Sequence, residues 1–149
     1  MIRRATPFDI QSLYNMWIKF LPVMKLDMDR IDRERLFINL LIRIKSANDV
    51  ILVAEENDIV GFMSASLQQH QFYKERMAIC DGLYIEENSR AIGLPMMFQD
   101  MMHNILIKSG VVELICHSSV DEACHLSKLW AHFGFTQQRI EYSKRLEVL

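Results

Sequence analysis

The residues best suited to chemistry lie where an apolar strand end gives way to a helix. Leu83, Tyr84 and Ile85 are followed by the polar run Glu86 to Arg90, then by Ala91, Ile92, Gly93, Leu94, Pro95 and Met96. A helix that starts directly after a buried strand leaves backbone N–H groups unpaired at its tip, and these suit a phosphate or pyrophosphate. Gly93 permits close backbone approach, and Arg90 adds positive charge at the turn. An ordinary β–α turn that contains a glycine fits the same residues. Just upstream, strict alternation puts Ile79, Asp81, Leu83 and Ile85 on one strand face, a carboxylate among three aliphatics. Burial of that kind raises a carboxylic acid toward the range useful for accepting a proton. The alternative is a structural aspartate that bonds a loop amide or pairs with an arginine.

Other reactive side chains are less organised. His117, His125 and His132 fall in one region with Cys116 and Cys124, but their spacing defines no metal site, and none is expected. Cys124 has no identifiable base beside it in sequence. Asp27, Asp29, Asp32 and Glu34 form an acidic cluster that suits either a solvated loop or the attraction of an amine. Met96, Met97, Met101 and Met102 share one helix, where they either fill core or form an adaptable contact surface.

These residues are carried by 149 residues, half of them hydrophobic and 24% charged, enough for one core; a single domain over 1–149 is expected. A net charge of −2 gives no footprint for nucleic acid, and no apolar run approaches the roughly 20 residues a membrane helix needs. The three cysteines form no CxxC pair and read as reduced thiols. Met1-Ile2-Arg3-Arg4 lacks the apolar core of a secretory signal, so a cytoplasmic location is expected.

The patterning predicts a short strand at Ile2–Ala5 and a helix opened by Thr6, Pro7 and Asp9, with Leu13, Trp17 and Phe20 inward, ended by Pro22. A second helix runs over about 32–46, with Arg33, Arg35, Arg43 and Lys45 turned away from its apolar face. Strands at 50–55, 59–69 and 77–85 form an antiparallel meander, its first turn at Asn57-Asp58. A helix over 94–109, with Met97, Met101, Ile105 and Leu106 inward, ends at Gly110 and leads to a strand at 111–116. A helix over about 120–133 and a final strand from Phe135 close the chain. The order is β-α-α-β-β-β-α-β-α-β, an α/β fold with a mixed sheet, helices on both faces and one parallel crossover between Met77 and Cys116.

Arg90-Ala91-Ile92-Gly93-Leu94-Pro95 resembles the acetyl-CoA signature Gln/Arg-x-x-Gly-x-Gly/Ala of the GCN5-related N-acetyltransferase (GNAT) family. Leu129-Trp130-Ala131-His132-Phe133-Gly134-Phe135 is similar to that family's Leu-Tyr-x-x-x-Gly-Phe ending, and the element order matches over nearly the whole chain. The resemblance implies an acyl-CoA N-acyltransferase-like fold in which the strands ending near Ile85 and Cys116 splay apart. It also implies that a pantetheine arm pairs with backbone at Leu83, Tyr84 and Ile85, and that the pyrophosphate lies on the amides of Arg90, Ala91, Ile92, Gly93, Leu94 and Met96. The same resemblance implies that Trp130 is also a cofactor-binding residue. Asp81 occupies a position that holds a base, acting directly or through water, in some members.

Three departures are visible. Pro95 replaces the last Gly/Ala and removes one N–H, and Trp130 replaces a tyrosine thought to protonate the departing thiolate. Ala123 and Leu126 stand where Asn and Ala are usual. The function so implied is acetyl transfer from acetyl-CoA to a primary amine on a small molecule or protein. The alternative is a weak or inactive GNAT-fold module for CoA sensing or protein–protein interaction. No nucleic-acid or membrane partner is expected, and a homodimer is compatible with the long C-terminal strand.

Overall fold

The computed structural model describes residues 1–117, 126–137 and 143–146. Strand β1 (Ile2–Arg4) leads into a 3-10 turn, Pro7–Asp9, that continues as α1 (Ile10–Val23). Asp9 secures this start: its carboxylate accepts from the Thr6 N–H at 2.7 Å and from two Arg3 nitrogens at 2.8 and 2.9 Å. Helix α1 does not stop at Pro22 but runs one residue past it. The missing proline N–H is tolerated in the last turn because the Met24 N–H closes onto the carbonyls of Phe20 and Leu21. Lys25, at φ 61°, then turns the chain away. Helix α2 (Arg33–Lys45) starts at Asp32, whose carboxylate accepts from the Arg35 N–H at 3.0 Å.

Strands β2 (Asp49–Glu55), β3 (Ile59–Gln69) and β4 (Arg76–Ile85) form the expected antiparallel meander, with β1 antiparallel to β2. Helix α3 (Leu94–Lys108) crosses over to β5 (Val111–Cys116), which pairs parallel with β4. The sheet order is β1-β2-β3-β4-β5. Helix α4 (Leu126–His132) follows. Of the final strand expected from Phe135, residues 135–137 and 143–146 carry no strand, and 138–142 and 147–149 lie outside the described residues.

The two sheet faces are buried separately. Leu13, Trp17 and Phe20 of α1 and Leu40 of α2 pack on Ile51, Val53 and Phe62. Leu94, Phe98, Met102 and Leu106 of α3, with Trp130 of α4, pack on Leu52, Met63, Ala78 and Cys80. The i, i+4 stripe 94-98-102-106 therefore faces the sheet. Met97, expected inward, is 48% exposed, while Met101 and Ile105 only flank that stripe.

Helix α1 sits close on β4 because Gly82 has no side chain. A Cβ there would lie 2.8 Å from a Phe62 ring carbon and 3.1 Å from the Trp17 indole.

Candidate active site

The parallel ladder between β4 and β5 runs up to Cys80 opposite Cys116 and stops. Strand β4 continues for residues 81–85, still paired with β3 on its other edge. Among the described residues nothing pairs with that stretch on the β5 side. At about 3.3 Å per residue the unpaired edge is about 16 Å long. Strand β5 ends at Cys116 while β4 runs on, so among the described residues the sheet opens here as a fork, and Leu83, Tyr84 and Ile85 form its β4 arm.

A β-bulge at Asp81 lies just past the end of the parallel ladder. Ala65 pairs with Cys80 and Ser64 with Gly82, so Asp81 is an extra residue on β4. One extra residue reverses the alternation, and this corrects the expected strand face. Leu83 and Ile85 join Ala78 and Cys80 on the α3 side. Asp81 is exposed and turns toward α2. Asp81-Gly82 carried the signal, since a glycine inside a strand pattern marks a bulge.

Asp81 is not buried among aliphatics. Its side chain is 36% exposed and is held by Arg43, Nη1 to Oδ2 at 2.7 Å and Nη2 to Oδ1 at 3.1 Å. The Ser64 hydroxyl donates to Oδ1 at 2.7 Å. Arg43 also donates through Nε to Asp49 Oδ1 at 2.8 Å and through Nη2 to the Ser66 hydroxyl at 3.2 Å. Ser66 in turn donates to Asp49 Oδ1 at 2.8 Å. Two carboxylates around one guanidinium leave the cluster one negative charge in excess. Burial works against the Arg43 cation, but Asp81 and then Asp49 more than compensate and raise its pKa. Arg43 thus points inward, contrary to the sequence expectation. Its place three residues beyond the buried Leu40 was the sign that it shares the sheet-facing stripe.

At the mouth of the fork, residues Glu87–Ile92 form a 3-10 segment rather than an open loop. Gly93 (φ 72°) is left-handed and caps α3, and a Cβ built on it meets nothing within 4 Å. The helix tip is therefore open. Pro95 has no N–H, which leaves the amides of Leu94 and Met96 as first-turn donors. The Arg90 side chain folds back, its Nε donating to the Ile85 carbonyl at 2.9 Å, and so ties the strand end to the turn. Ala91 and Ile92 contribute backbone to the same turn.

Tyr84 turns to the α1 side. Its hydroxyl donates to Glu86 Oε2 at 3.3 Å, and Lys19 Nζ reaches Glu86 Oε1 at 2.6 Å. Burial first, and then Glu86, raise the phenol above its ordinary value, so it stays protonated at neutral pH.

Trp130 is buried on the α3 side, its Nε1 donating to the His117 carbonyl at 3.4 Å just beyond β5. Met96 is exposed and lines a cavity of about 310 Å³ between α3 and α4, together with Gln99, Asp100, His103, His132 and Phe133. In the acidic connection, Asp27 and Asp32 are spent as caps on backbone N–H groups. Asp32 and Glu34 also border a second cavity, of about 290 Å³, with Arg35, Ile38 and Asn39. Neither cavity is the fork itself. No group of three or more metal-ligating side chains occurs among the described residues, and Ala123, Cys124 and His125 lie outside them.

No family model matches the chain, and no curated protein matches it either. Solved structures do match. A predicted acetyltransferase from Clostridium acetobutylicum, solved with acetyl-CoA, superposes with a TM-score of 0.81 at 17% identity, covering 97% of this chain and 95% of that one. An aminoglycoside antibiotic 6'-N-acetyltransferase from Acinetobacter baumannii gives 0.79 at 13% identity, with 99% of both chains covered. A ribosomal-protein-alanine N-acetyltransferase from Brucella melitensis biovar Abortus gives 0.77 at 13% identity, covering 98% of this chain and 99% of that one. The fold is thus the GNAT fold that the two sequence motifs resemble.

Proposed function

We propose that this chain is an N-acetyltransferase that moves an acetyl group from acetyl-CoA to a primary amine by direct attack. The observation that carries the reading is the fork, whose β4 arm, 81–85, has no partner on the β5 side among the described residues and leads to the glycine-capped tip of α3. An extended, amide-bearing pantetheine arm suits such an edge as an added strand would, at Leu83, Tyr84 and Ile85. The pyrophosphate suits the tip, at the amides of Gly93, Leu94 and Met96, with the helix dipole aiding it and Arg90, Ala91 and Ile92 shaping the 3-10 turn that leads there. Acetyl-CoA, when bound, supplies a thioester for the amine to attack. The chain then has to orient the two partners and receive the ammonium proton.

Asp81 is the proposed receiver, directly or through a water. Arg43 and Ser64 fix its carboxylate, and one lone pair of Oδ2 remains beyond the Arg43 bond. The excess negative charge of the cluster favours a cationic acceptor. Trp130 has no acidic proton to give and its N–H is committed to His117, so in this reading the thiolate leaves into solvent. The acceptor is a small amine or a protein amino group; the fold neighbours include enzymes named for each kind. A cytoplasmic site of action belongs to the same proposal. For the described residues, no helix is long and apolar enough to cross a membrane.

The committed Trp130 indole favours a second reading, a module of the same fold that senses CoA or binds proteins without turnover. Thermal shift with acetyl-CoA, followed by thiol release on a panel of amines, separates the two. Acetyl-CoA at 100-fold its Kd stabilises the chain by about 2.7 kcal/mol. A shift with thiol release is expected. A shift without turnover supports the sensor, and no shift at all overturns the acetyl-CoA reading.

A further inference from the structure

The vertex of the fork is made of two thiols. Cys80 and Cys116 are the last paired residues of the parallel ladder, both are free, and each packs on the α3-side core. The two residues stand opposite each other in the ladder, and the Cys80 thiol donates to the Gly82 carbonyl at 3.7 Å. Paired residues on neighbouring strands sit about 4.8 Å apart, within the Cα separations that a disulfide spans. Cys80 is fully buried, whereas Cys116 is only partly so and is the last residue of β5. One thiol is thus reachable, and the second waits behind it.

From this arrangement we infer that Cys80 and Cys116 form a thiol–disulfide exchange site whose oxidised state staples β5 to β4 at the vertex of the fork. The oxidant is a low-molecular-weight disulfide, RSSR. In the first step the Cys116 sulfur attacks one sulfur of RSSR; the S–S bond of RSSR breaks, its other sulfur leaves as RSH with the Cys116 proton, and Cys116–S–S–R forms. In the second step the Cys80 sulfur attacks that of Cys116; a second RSH leaves with the Cys80 proton, and the Cys80–Cys116 disulfide remains. The pair loses two electrons and two protons, and RSSR gains them. The neighbouring Cys80 thiol, and then burial, hold the Cys116 thiol above its ordinary value. Exchange is therefore slow at neutral pH and accelerates as pH rises, because the thiolate is the attacking species.

The test incubates the reduced full chain with glutathione disulfide in one arm and coenzyme A disulfide in the other, over a range of pH. Alkylation, digestion and mass spectrometry then locate the products. The expected product in at least one arm is a peptide pair joining Cys80 to Cys116, reversed by dithiothreitol, with a rise in melting temperature on the order of 5 °C. A rate higher with coenzyme A disulfide identifies a carrier held by the fork, and equal rates identify the disulfide chemistry alone; either supports the site. In Cys80→Ser the reaction stops at a mixed disulfide on Cys116. Cys116→Ser changes the less buried partner and forms neither product, which keeps the test independent of how Cys80→Ser folds. A cross-link from Cys116 to Cys124, mixed disulfides that never resolve in the unaltered chain, or no product even at alkaline pH would overturn the inference.

Discussion

An aspartate gripped by two guanidinium nitrogens and a hydroxyl has lost most of its freedom to turn, and so Asp81 can be tested cleanly. Asp81→Asn keeps the shape but sets an amide NH2 against Arg43 or surrenders one of its two acceptors. With Asp81 as proton acceptor, turnover falls roughly 10²–10⁴-fold while the Kd for CoA is unchanged. Arg43→Met leaves Asp81 and Asp49 without their shared cation and costs about 2 kcal/mol in urea unfolding, since Asp81 is partly relieved by water. If Asp81 serves only to hold Arg43, both variants lose stability and turnover per folded molecule stays at the wild-type value. Asp81 stands out in the sequence as a carboxylate out of place in an apolar strand, whereas its partner does not. Arg43 lies 38 positions away on another element, and no local pattern reports a pair formed across a sheet face.

At the scale of elements, the α3 tip separates two roles that one glycine can play. Gly93 is left-handed, and a Cβ there meets no neighbour, so Gly93→Ala costs backbone strain of about 1 kcal/mol and nothing from crowding. Asparagine tolerates that conformation better, so Gly93→Asn recovers part of the stability. If a pyrophosphate rests against the tip, both variants raise the Kd for CoA by the same large factor, which calorimetric titration reads. An affinity that follows stability across the pair, recovering in Gly93→Asn, would instead assign the glycine to helix capping alone. The helix start at Leu94, its stop at Gly110 and the parallel return were all legible, because caps, glycines and apolar periods are local. The fork was not legible from spacing alone. It depends on a ladder that stops at Cys80 opposite Cys116 and on a bulge of one residue, and strict alternation, without the bulge at Asp81, places Leu83 and Ile85 on the wrong face.

For the molecule as a whole, the described architecture rests on two cores divided by one sheet, and the chain's short first strand is joined to them partly through charge. Strand β1 has three residues at the sheet edge, and Arg3 links it both to Asp9 before α1 and to Glu55 on β2. The Arg3 guanidinium, through its hydrogen bonds, is the main reason Asp9 is held below its ordinary value of 3.8, ahead of the opposing effect of burial. The sign follows from linkage. A carboxylate with a depressed folded value contributes stability that is complete above its unfolded value and is lost as pH falls through the folded one. Arg3 stays charged in both states across this range and adds no slope. Urea unfolding of the native chain should therefore lose this contribution progressively as pH falls through and below about 3.8, where Asp9→Asn, which never had it, shows a flatter curve. The gap between the two proteins should be constant near neutral pH and close progressively in acid. A gap that persists unchanged to the lowest pH at which the fold survives would mean that the Arg3–Asp9 pair does not tie β1 to the start of α1 through charge.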